Sequence, residues 1–209
     1  MRRVLGMAFF DRDTVTVARE LLGMHLVRRF PDGEERALMI TETEAYDGPH
    51  DLAAHSAHGR TARTDVLFGP AGNWYVYFIY GMHEMLNIVT GGEGAAVLIR
   101  GAGEISGPGR LTKALAITRA LNKEAAAPES GLWIEDRGDA VPDAWIAATP
   151  RIGVAYAKEW AAKPWRFVRT PPLSADPLLR RDSRRTSDRA ARHPARTRNR
   201  KSSRGDSTR

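Results

Sequence analysis

The stretch WYVYFIYGMHEMLNIVTGGEGAAVLIR, residues 74–100, sets the class of the fold. It contains three apolar and aromatic runs, residues 74–80, 85–90 and 95–100, which are separated by short turn-forming segments. Runs of this length, rich in aromatic and β-branched residues and bounded by glycines, predict consecutive β-strands joined by hairpins. Strands joined in this way form an antiparallel sheet.

The segments on either side of this stretch add helices and further strands. Asp13 precedes apolar residues at helical spacing, and Gly23 follows them, which predicts a helix with an acidic start. Residues 24–30 and 36–46 predict two strands around the turn Pro31-Asp32-Gly33. A second helix is predicted at residues 111–118, and short strands at 132–135, 151–154 and 166–168. The pattern therefore predicts one domain of the α+β class.

Length and composition exclude several classes of protein. The chain has 209 residues, enough to bury a sizeable core, and no cysteine. The lack of cysteine rules out a disulfide framework and thiol catalysis, and it leaves any metal site to histidines and carboxylates. Neither a membrane-spanning apolar run nor a secretory leader is recognised, so we expect an intracellular protein.

The excess positive charge lies at one end of the chain. Residues 175–209 hold 12 Lys and Arg against 4 Asp and Glu, whereas the other 174 residues hold 20 against 21. Residues 175–209 are also poor in apolar side chains, so we expect a basic disordered tail after a folded domain at 1–174. This tail is either a solvated extension or an arm that binds phosphates without sequence preference.

Two segments carry candidate chemistry. In a strand over residues 40–46, alternation places Ile40, Glu42, Glu44 and Tyr46 on one side, with a carboxylate beside an aromatic ring. Such a strand is either a solvated edge or one wall of a site. In residues 74–80 the same alternation separates Tyr75 and Tyr77 from Trp74, Val76 and Phe78. Because buried tyrosine hydroxyls need partners, a cleft that stacks a flat ring is one interpretation, and a strand buried on both faces is the other.

A third cluster lies in the long segment between these strands. His50, His55 and His58, together with Glu42, leave a metal-dependent hydrolase open as an alternative, although their spacing matches no strong zinc signature. The glycine-rich segments match no nucleotide-binding pattern and are interpreted as turns.

Taken together, the motifs resemble those of the alkyladenine (3-methyladenine) DNA glycosylase family. The resemblance runs in order from about Phe9 to about Val168. The matching motifs are Thr43-Glu44-Ala45-Tyr46, Ala53-Ala54-His55-Ser56, residues 75–82 with Asn87, residues 96–100, Ser106-Gly107-Pro108-Gly109 with Leu111, Arg151-Ile152-Gly153-Val154, Glu159-Trp160 and Lys163-Pro164.

The resemblance implies hydrolysis of the N-glycosidic bond of alkylated or deaminated purines in duplex DNA. It implies a monofunctional enzyme that needs no cofactor, no metal and no Schiff-base lysine. Glu44 would activate a water molecule, while Arg100 and the main-chain carbonyl of Ile152 help to hold that water. The implied fold has a curved antiparallel sheet with flanking helices and a protruding β-hairpin.

The resemblance also implies how the base and the DNA are bound. Tyr46 and His55 would lie on one face of an extruded base and Tyr77 on the other, while Asn87 would line the pocket and disfavour the amino group of guanine. At the hairpin tip, Tyr80 with Met82 beside it would fill the gap in the duplex.

We further expect Arg60 and Arg63 to contact the DNA backbone. The expected partner is double-stranded DNA with damaged purines, bound by a monomer with no membrane association. The expected location is the cytoplasm, at the nucleoid, or the nucleus in a eukaryote. A binder of distorted DNA without catalysis is a second alternative, which the presence of Glu44 and Arg100 disfavours.

Overall fold

A single curved antiparallel sheet organises the described part of the chain. The computed structural model describes residues 2–79 and 81–172, so that Tyr80 and the basic tail expected at 175–209 lie outside the described residues. The strands are β1 (Arg3–Val4), β2 (His25–Arg29), β3 (Glu35–Tyr46), β4 (Trp74–Ile79), β5 (His83–Val89), β6 (Ala96–Ala102), β7 (Ile105–Ser106), β8 (Leu132–Asp136), β9 (Ile146–Thr149) and β10 (Arg166–Arg169). The helices are α1 (Met7–Phe10), α2 (Thr14–Glu20) and α3 (Pro108–Ala114).

The order of the strands confirms the predicted fold class. The main path through the sheet is β1-β8-β2-β3-β6-β5-β4, and β10 joins β3 to β9. All of these pairings are antiparallel, and β4, β5 and β6 are the three consecutive strands predicted for residues 74–100. Short 3-10 turns cover the segment between β3 and β4, at His55–His58 and Asp65–Phe68. The fold is α+β, with a hairpin formed by β4 and β5.

The helices begin and end where local chemistry requires it. The Asp13 side chain accepts a hydrogen bond of 2.7 Å from the Thr16 N–H and caps α2. The helix predicted at 111–118 is displaced, because Pro108 at the first turn begins it earlier and it ends at Ala114. Both helices pack on the sheet, and the core between them contains the fully buried Trp74.

Strand β3 is the central strand of the sheet and contains a bulge that changes which of its side chains face the core. Its register against β6 shifts between Ile40 and Glu42 and again between Glu42 and Thr43. Such a bulge changes which side of the strand each later side chain faces. Ile40 is therefore in the main core, where Ala45 also lies, while Glu42 and Glu44 face away from it. The prediction that Ile40 shares their side was wrong, because strict alternation stops at a bulge.

The last strands differ from the prediction. Residues 151–154 do not form a strand, because Gly153 has a φ of 78° and the Arg151 side chain is drawn inward. The partner of β10 is instead β9, Ile146–Thr149, which the apolar pattern did not indicate. Residues 150–154 therefore form a loop outside the sheet. The Arg151 side chain and the Ile152 main-chain N–H of this loop both contact β3.

A buried ion pair holds that loop against the sheet. Arg151 Nη2 donates to Asp51 Oδ1 at 2.9 Å, Arg151 Nη1 donates to the other carboxylate oxygen, and both side chains are fully buried. Arg151 Nη1 also donates to the Ala45 carbonyl of β3 at 2.8 Å. Asp51 in turn accepts from the Ala53 N–H at 3.0 Å. The pair thus joins β3, the segment after it and the loop 150–154.

No helix among residues 2–79 and 81–172 has the length and apolar character needed to cross a membrane.

We predict that Asp51→Asn lowers the free energy of unfolding by about 3 kcal/mol, because it leaves the Arg151 charge buried without a counter-ion. Denaturant unfolding monitored by tryptophan fluorescence measures the change. The matched control is Asp143→Asn, since Asp143 binds Arg19 at 2.9 Å on the surface with 88% of its side chain exposed. An exposed pair contributes little, so equal stabilities of the two variants would contradict the prediction.

Candidate active site

An aromatic cavity of about 370 Å³ opens between the sheet and the loops that follow β3 and β9. This volume lies within the range of about 300–1,000 Å³ that is usual for sites that bind small molecules. Tyr46, His55 and Tyr77 contribute rings to its lining, and Asn87 and Arg100 contribute polar groups. The remaining lining is mostly apolar. A flat, partly polar ring fits such a space.

Glu44 lies directly behind the cavity wall. Its Oε1 accepts a hydrogen bond of 2.8 Å from the Ile152 main-chain N–H. Its Oε2 accepts from the Tyr46 hydroxyl at 2.9 Å and from Arg100 Nη1 at 3.3 Å. The side chain has no exposed surface, whereas Tyr46, Arg100 and Ile152 all line the cavity. The predicted neighbourhood of Glu44 and Tyr46 is thus confirmed by a direct hydrogen bond.

Opposing effects act on the pKa of the Glu44 carboxyl. Burial raises the pKa of the Glu44 carboxyl, and the Glu42 charge adds to this, while Arg100, the Ile152 N–H and the Tyr46 hydroxyl lower it. The net result is a pKa above the ordinary value for glutamate. A carboxylate with a raised pKa is a stronger proton acceptor, which suits a general base.

The rings of His55, Tyr75 and Tyr77 contact one another and form an aromatic wall of the cavity. The rings of His55 and Tyr77 lie with their centroids 4.5 Å apart and nearly perpendicular, and Tyr75 lies 5.1 Å from Tyr77. His55 Nδ1 is bonded to the Tyr75 hydroxyl at 2.9 Å. The expectation that Tyr46 and His55 lie on one face of an extruded base and Tyr77 on the other stays a prediction.

Burial fixes the protonation state of His55. Desolvation, with the charges of Arg63 and His58 as smaller causes, lowers the pKa of His55 to about 4. The imidazole is therefore neutral at physiological pH, and it contributes a ring face without a positive charge.

Asn87 has its amide group held by the sheet. Its Nδ2 donates to the Tyr75 carbonyl at 3.1 Å and to the Met85 carbonyl at 3.3 Å. Since both donors are used by the main chain, the side chain is fixed in one orientation at the cavity wall. The amide thus limits the shape of what the cavity accepts.

The other predicted site residues lie at the rim. Ile152 is half exposed at 51%, and its main-chain N–H donates to Glu44, while the role expected for its carbonyl in holding the water stays a prediction. Met82 is 70% exposed at the tip of the β4–β5 hairpin. Tyr80, its expected partner there, lies outside the described residues. The hairpin tip therefore offers an apolar side chain to solvent.

The two candidate DNA-backbone arginines differ in their surroundings. Arg60 binds Asp65 at 2.7 Å, so its charge is already partly neutralised. Arg63 lies over the Tyr77 ring, 5.1 Å from its centroid, at the edge of the aromatic wall. Both are exposed, and of the two only Arg63 also influences the cavity.

The histidine cluster does not assemble. His50 binds Asp47 at 3.1 Å, His55 binds Tyr75, and Glu42 is engaged by two arginines. Within residues 2–79 and 81–172, no group of three or more His, Asp or Glu side chains is arranged to hold a metal ion. The metal-dependent alternative therefore lacks a ligand set in this part of the chain.

Sequence reasoning missed three residues around the site. Asp51 and Arg151 form the buried pair that fixes the Ile152 N–H, but they are 100 positions apart and no local pattern connects them. Tyr156 also lines the cavity, and its hydroxyl donates to the Ala53 carbonyl at 3.3 Å. The only signal in the sequence for Asp51 was the presence of an aspartate in a long segment without a clear period.

We predict that His55 titrates in the folded protein with a midpoint near 4 and is neutral from pH 5 upward. Because the unfolded chain binds this proton near pH 6.5, His55 should lower stability as pH falls from 6.5 toward 4. Histidine NMR titration measures the midpoint, and His55→Asn identifies the resonance by its disappearance. A midpoint near 6.5 for that resonance would contradict the burial argument.

Comparisons with known proteins identify the family of the chain. The family model for methylpurine-DNA glycosylase matches residues 8–106 and 104–171. A protein of Methanocella arvoryzae named "Putative 3-methyladenine DNA glycosylase" is 49% identical over 187 residues, covering 78% of this chain and 91% of its own. Proteins with the same name from Myxococcus xanthus (48% identical, 77% of this chain, 87% of its own) and Legionella pneumophila strain Lens (49% identical, 79% of this chain, 93% of its own) are also similar. The chain therefore belongs to the methylpurine-DNA glycosylase family and is a DNA glycosylase, a hydrolase of DNA repair.

Proposed function

We propose that this enzyme excises alkylated or deaminated purines from duplex DNA by water attack on the N-glycosidic bond of an extruded nucleotide. The observation that carries the proposal is the buried Glu44 carboxylate, whose three hydrogen-bond donors all line an aromatic cavity. A target base cannot be reached inside a duplex, so it must leave the stack. The cavity volume of about 370 Å³ is compatible with such a base.

Glu44 acts as the general base for the attacking water. Because Glu44 has no exposed surface, water reaches its carboxylate only when one of its donors moves. The Arg100 contact at 3.3 Å is the longest of the three, so a small displacement of its Nη1 admits a water molecule between the two groups while the hydrogen bond of its Nε to Glu42 stays in place. Arg100 and the Ile152 segment then orient that water, and the carboxylate stabilises the oxocarbenium character of the sugar.

The base stacks between Tyr46 with His55 on one face and Tyr77 on the other. Electron-rich tyrosine faces favour an alkylated, positively charged purine over a neutral base by about 0.5–2 kcal/mol. Neutral hypoxanthine gains nothing from that contribution, so its selection depends on the shape of the cavity. Asn87, held in one orientation, disfavours the additional amino group of guanine.

The hairpin tip fills the space that the extruded nucleotide leaves. Met82 and Tyr80 serve as the wedge that stacks in the vacated position and kinks the duplex from the minor groove. Arg63 and Arg60 approach the phosphates beside the cavity. The enzyme acts as a monomer without metal or cofactor, in the compartment that holds the chromosome.

The alternative from the sequence was a binder of distorted DNA without catalysis. It would need the aromatic wall and the wedge but not a carboxylate of raised pKa held by three donors. The geometry around Glu44 therefore favours the hydrolase.

We predict that Glu44→Gln lowers the single-turnover rate of base release by at least about 100-fold, the usual contribution of a general base. Binding to the damaged duplex should be retained. The assay incubates a hypoxanthine-containing duplex with excess enzyme and cleaves the abasic product with alkali.

The matched control for this test is Glu35→Gln, since Glu35 lies on the same strand but binds Arg29 at the surface. Gel-shift binding to the same duplex, together with thermal unfolding, separates loss of chemistry from loss of fold. Full activity of Glu44→Gln would reject the assignment of the base.

We predict that Met82→Ser weakens binding to a duplex with an abasic-site analogue by roughly ten-fold, because burying a methionine between bases is worth about 1.5 kcal/mol. Stability should not change, since Met82 is 70% exposed. Met7→Ser is the control, because Met7 is 59% exposed on α1 and does not line the cavity. Equal affinities of the two variants, measured by fluorescence anisotropy, would count against a role of Met82 in the wedge.

A further inference from the structure

Arg100 is shared between two carboxylates. Its Nε donates to Glu42 Oε1 at 2.7 Å, and its Nη1 donates to Glu44 Oε2 at 3.3 Å. The shorter hydrogen bond is to Glu42, so Glu42 determines where the guanidinium plane lies. Glu42 does not line the cavity, whereas Arg100 does.

Glu42 is itself held on its other side. Arg166 of β10 donates its Nε to the same oxygen, Oε1, at 2.7 Å, and its Nη1 donates to the Thr149 hydroxyl at 3.1 Å. The side chain of Glu42 is 9% exposed. A nearly buried carboxylate that accepts two arginines at one oxygen has little freedom to move.

We propose that Glu42 is a positioning residue for the glycosylase reaction, which holds Arg100 at the Glu44 carboxylate and keeps it from neutralising that carboxylate completely. The inference rests on the proposed function and adds to it a residue that touches neither base nor sugar. The charges alternate in the order Arg166, Glu42, Arg100 and Glu44. Each carboxylate therefore has an arginine beside it, and Arg100 is shared between the two carboxylates.

The charged and titratable groups around Glu44 come from every element packed on it. They are Glu42 and Tyr46 on β3, Arg100 on β6, Tyr77 on β4, Arg166 on β10 and the main-chain N–H of Ile152 in the loop after β9. In this set, Glu42 raises the pKa of the Glu44 carboxyl and Arg100 lowers it. Removal of the Glu42 charge therefore lowers the pKa of Glu44 directly. It also removes the carboxylate that partly neutralises Arg100, so Arg100 stabilises the ionised form of Glu44 more strongly.

The test compares Glu42→Gln with Glu42→Asp in single-turnover release of hypoxanthine across pH. Glu42→Gln retains an oxygen for both arginines but loses the charge, so the rate should fall by about ten-fold, the difference between a charge-assisted and a neutral hydrogen bond. The acidic limb of its pH profile should move to lower pH, because an ionised base is needed and its pKa falls. Glu42→Asp keeps the charge but withdraws the carboxylate, so its rate should fall without that displacement of the limb.

Arg166→Gln is the second variant, and it has the opposite expected sign. It leaves Glu42 without its other cation, so the negative charge near Glu44 increases and the acidic limb should move to higher pH. This variant keeps the proposal testable if Glu42→Gln does not fold, which thermal unfolding establishes. Glu35→Gln, which removes a surface carboxylate from the same strand, is the control.

The outcomes separate this inference from the proposed function. If the wild-type protein releases no base, the proposed function fails. If the wild type is active and Glu42→Gln matches Glu35→Gln in rate and pH profile, the positioning role is overturned. A slower Glu42→Gln with an unmoved acidic limb also overturns it, because such a result indicates only local structure.

Discussion

The site depends on keeping the Glu44 carboxylate away from water without leaving it unpaired. An isolated buried carboxylate costs several kcal/mol, so it persists only where donors surround it. Here the donors come from three separate segments: Tyr46 on the same strand, Arg100 on β6 and the Ile152 N–H in a distant loop. Because these segments meet only in the assembled fold, the chemistry of the site is coupled to its tertiary packing. The same burial raises the pKa of Glu44 and gives it the basicity that the proposed reaction needs.

Two structural devices bring the donors to Glu44. The bulge in β3 turns Glu42 and Glu44 away from the core, while Ile40 and Ala45 remain in it. The buried pair of Asp51 and Arg151 ties the loop 150–154 to β3 and so places the Ile152 N–H. Neither device contacts a base directly. They act as rigid support, and a fixed arrangement of dipoles around a developing charge is what stabilises a transition state most effectively.

Parts of this arrangement follow from local pattern and parts do not. Alternation along β4 correctly separated Tyr75 and Tyr77 at the cavity from Trp74 and Val76 in the core, because that strand is regular. The same rule failed for Ile40, since a bulge leaves no mark in a pattern of apolar residues. The short strand predicted at 151–154 was also wrong, because a buried arginine and a glycine with positive φ stand there. The contact between His55 and Tyr77 joins segments 22 positions apart and likewise has no local signal.

What the sequence determined by itself was the α+β class, the three hairpin strands of residues 74–100 and the pairing of Glu44 with Tyr46, since these depend on the two-residue period of a strand. The motifs it shares with other chains indicated the family. Only the tertiary structure decided which rings form one wall, which main-chain group of Ile152 faces Glu44 and how Arg100 is divided between two carboxylates. Those features depend on distances between segments far apart in the chain, and such distances are set by packing and buried charge, not by local spacing.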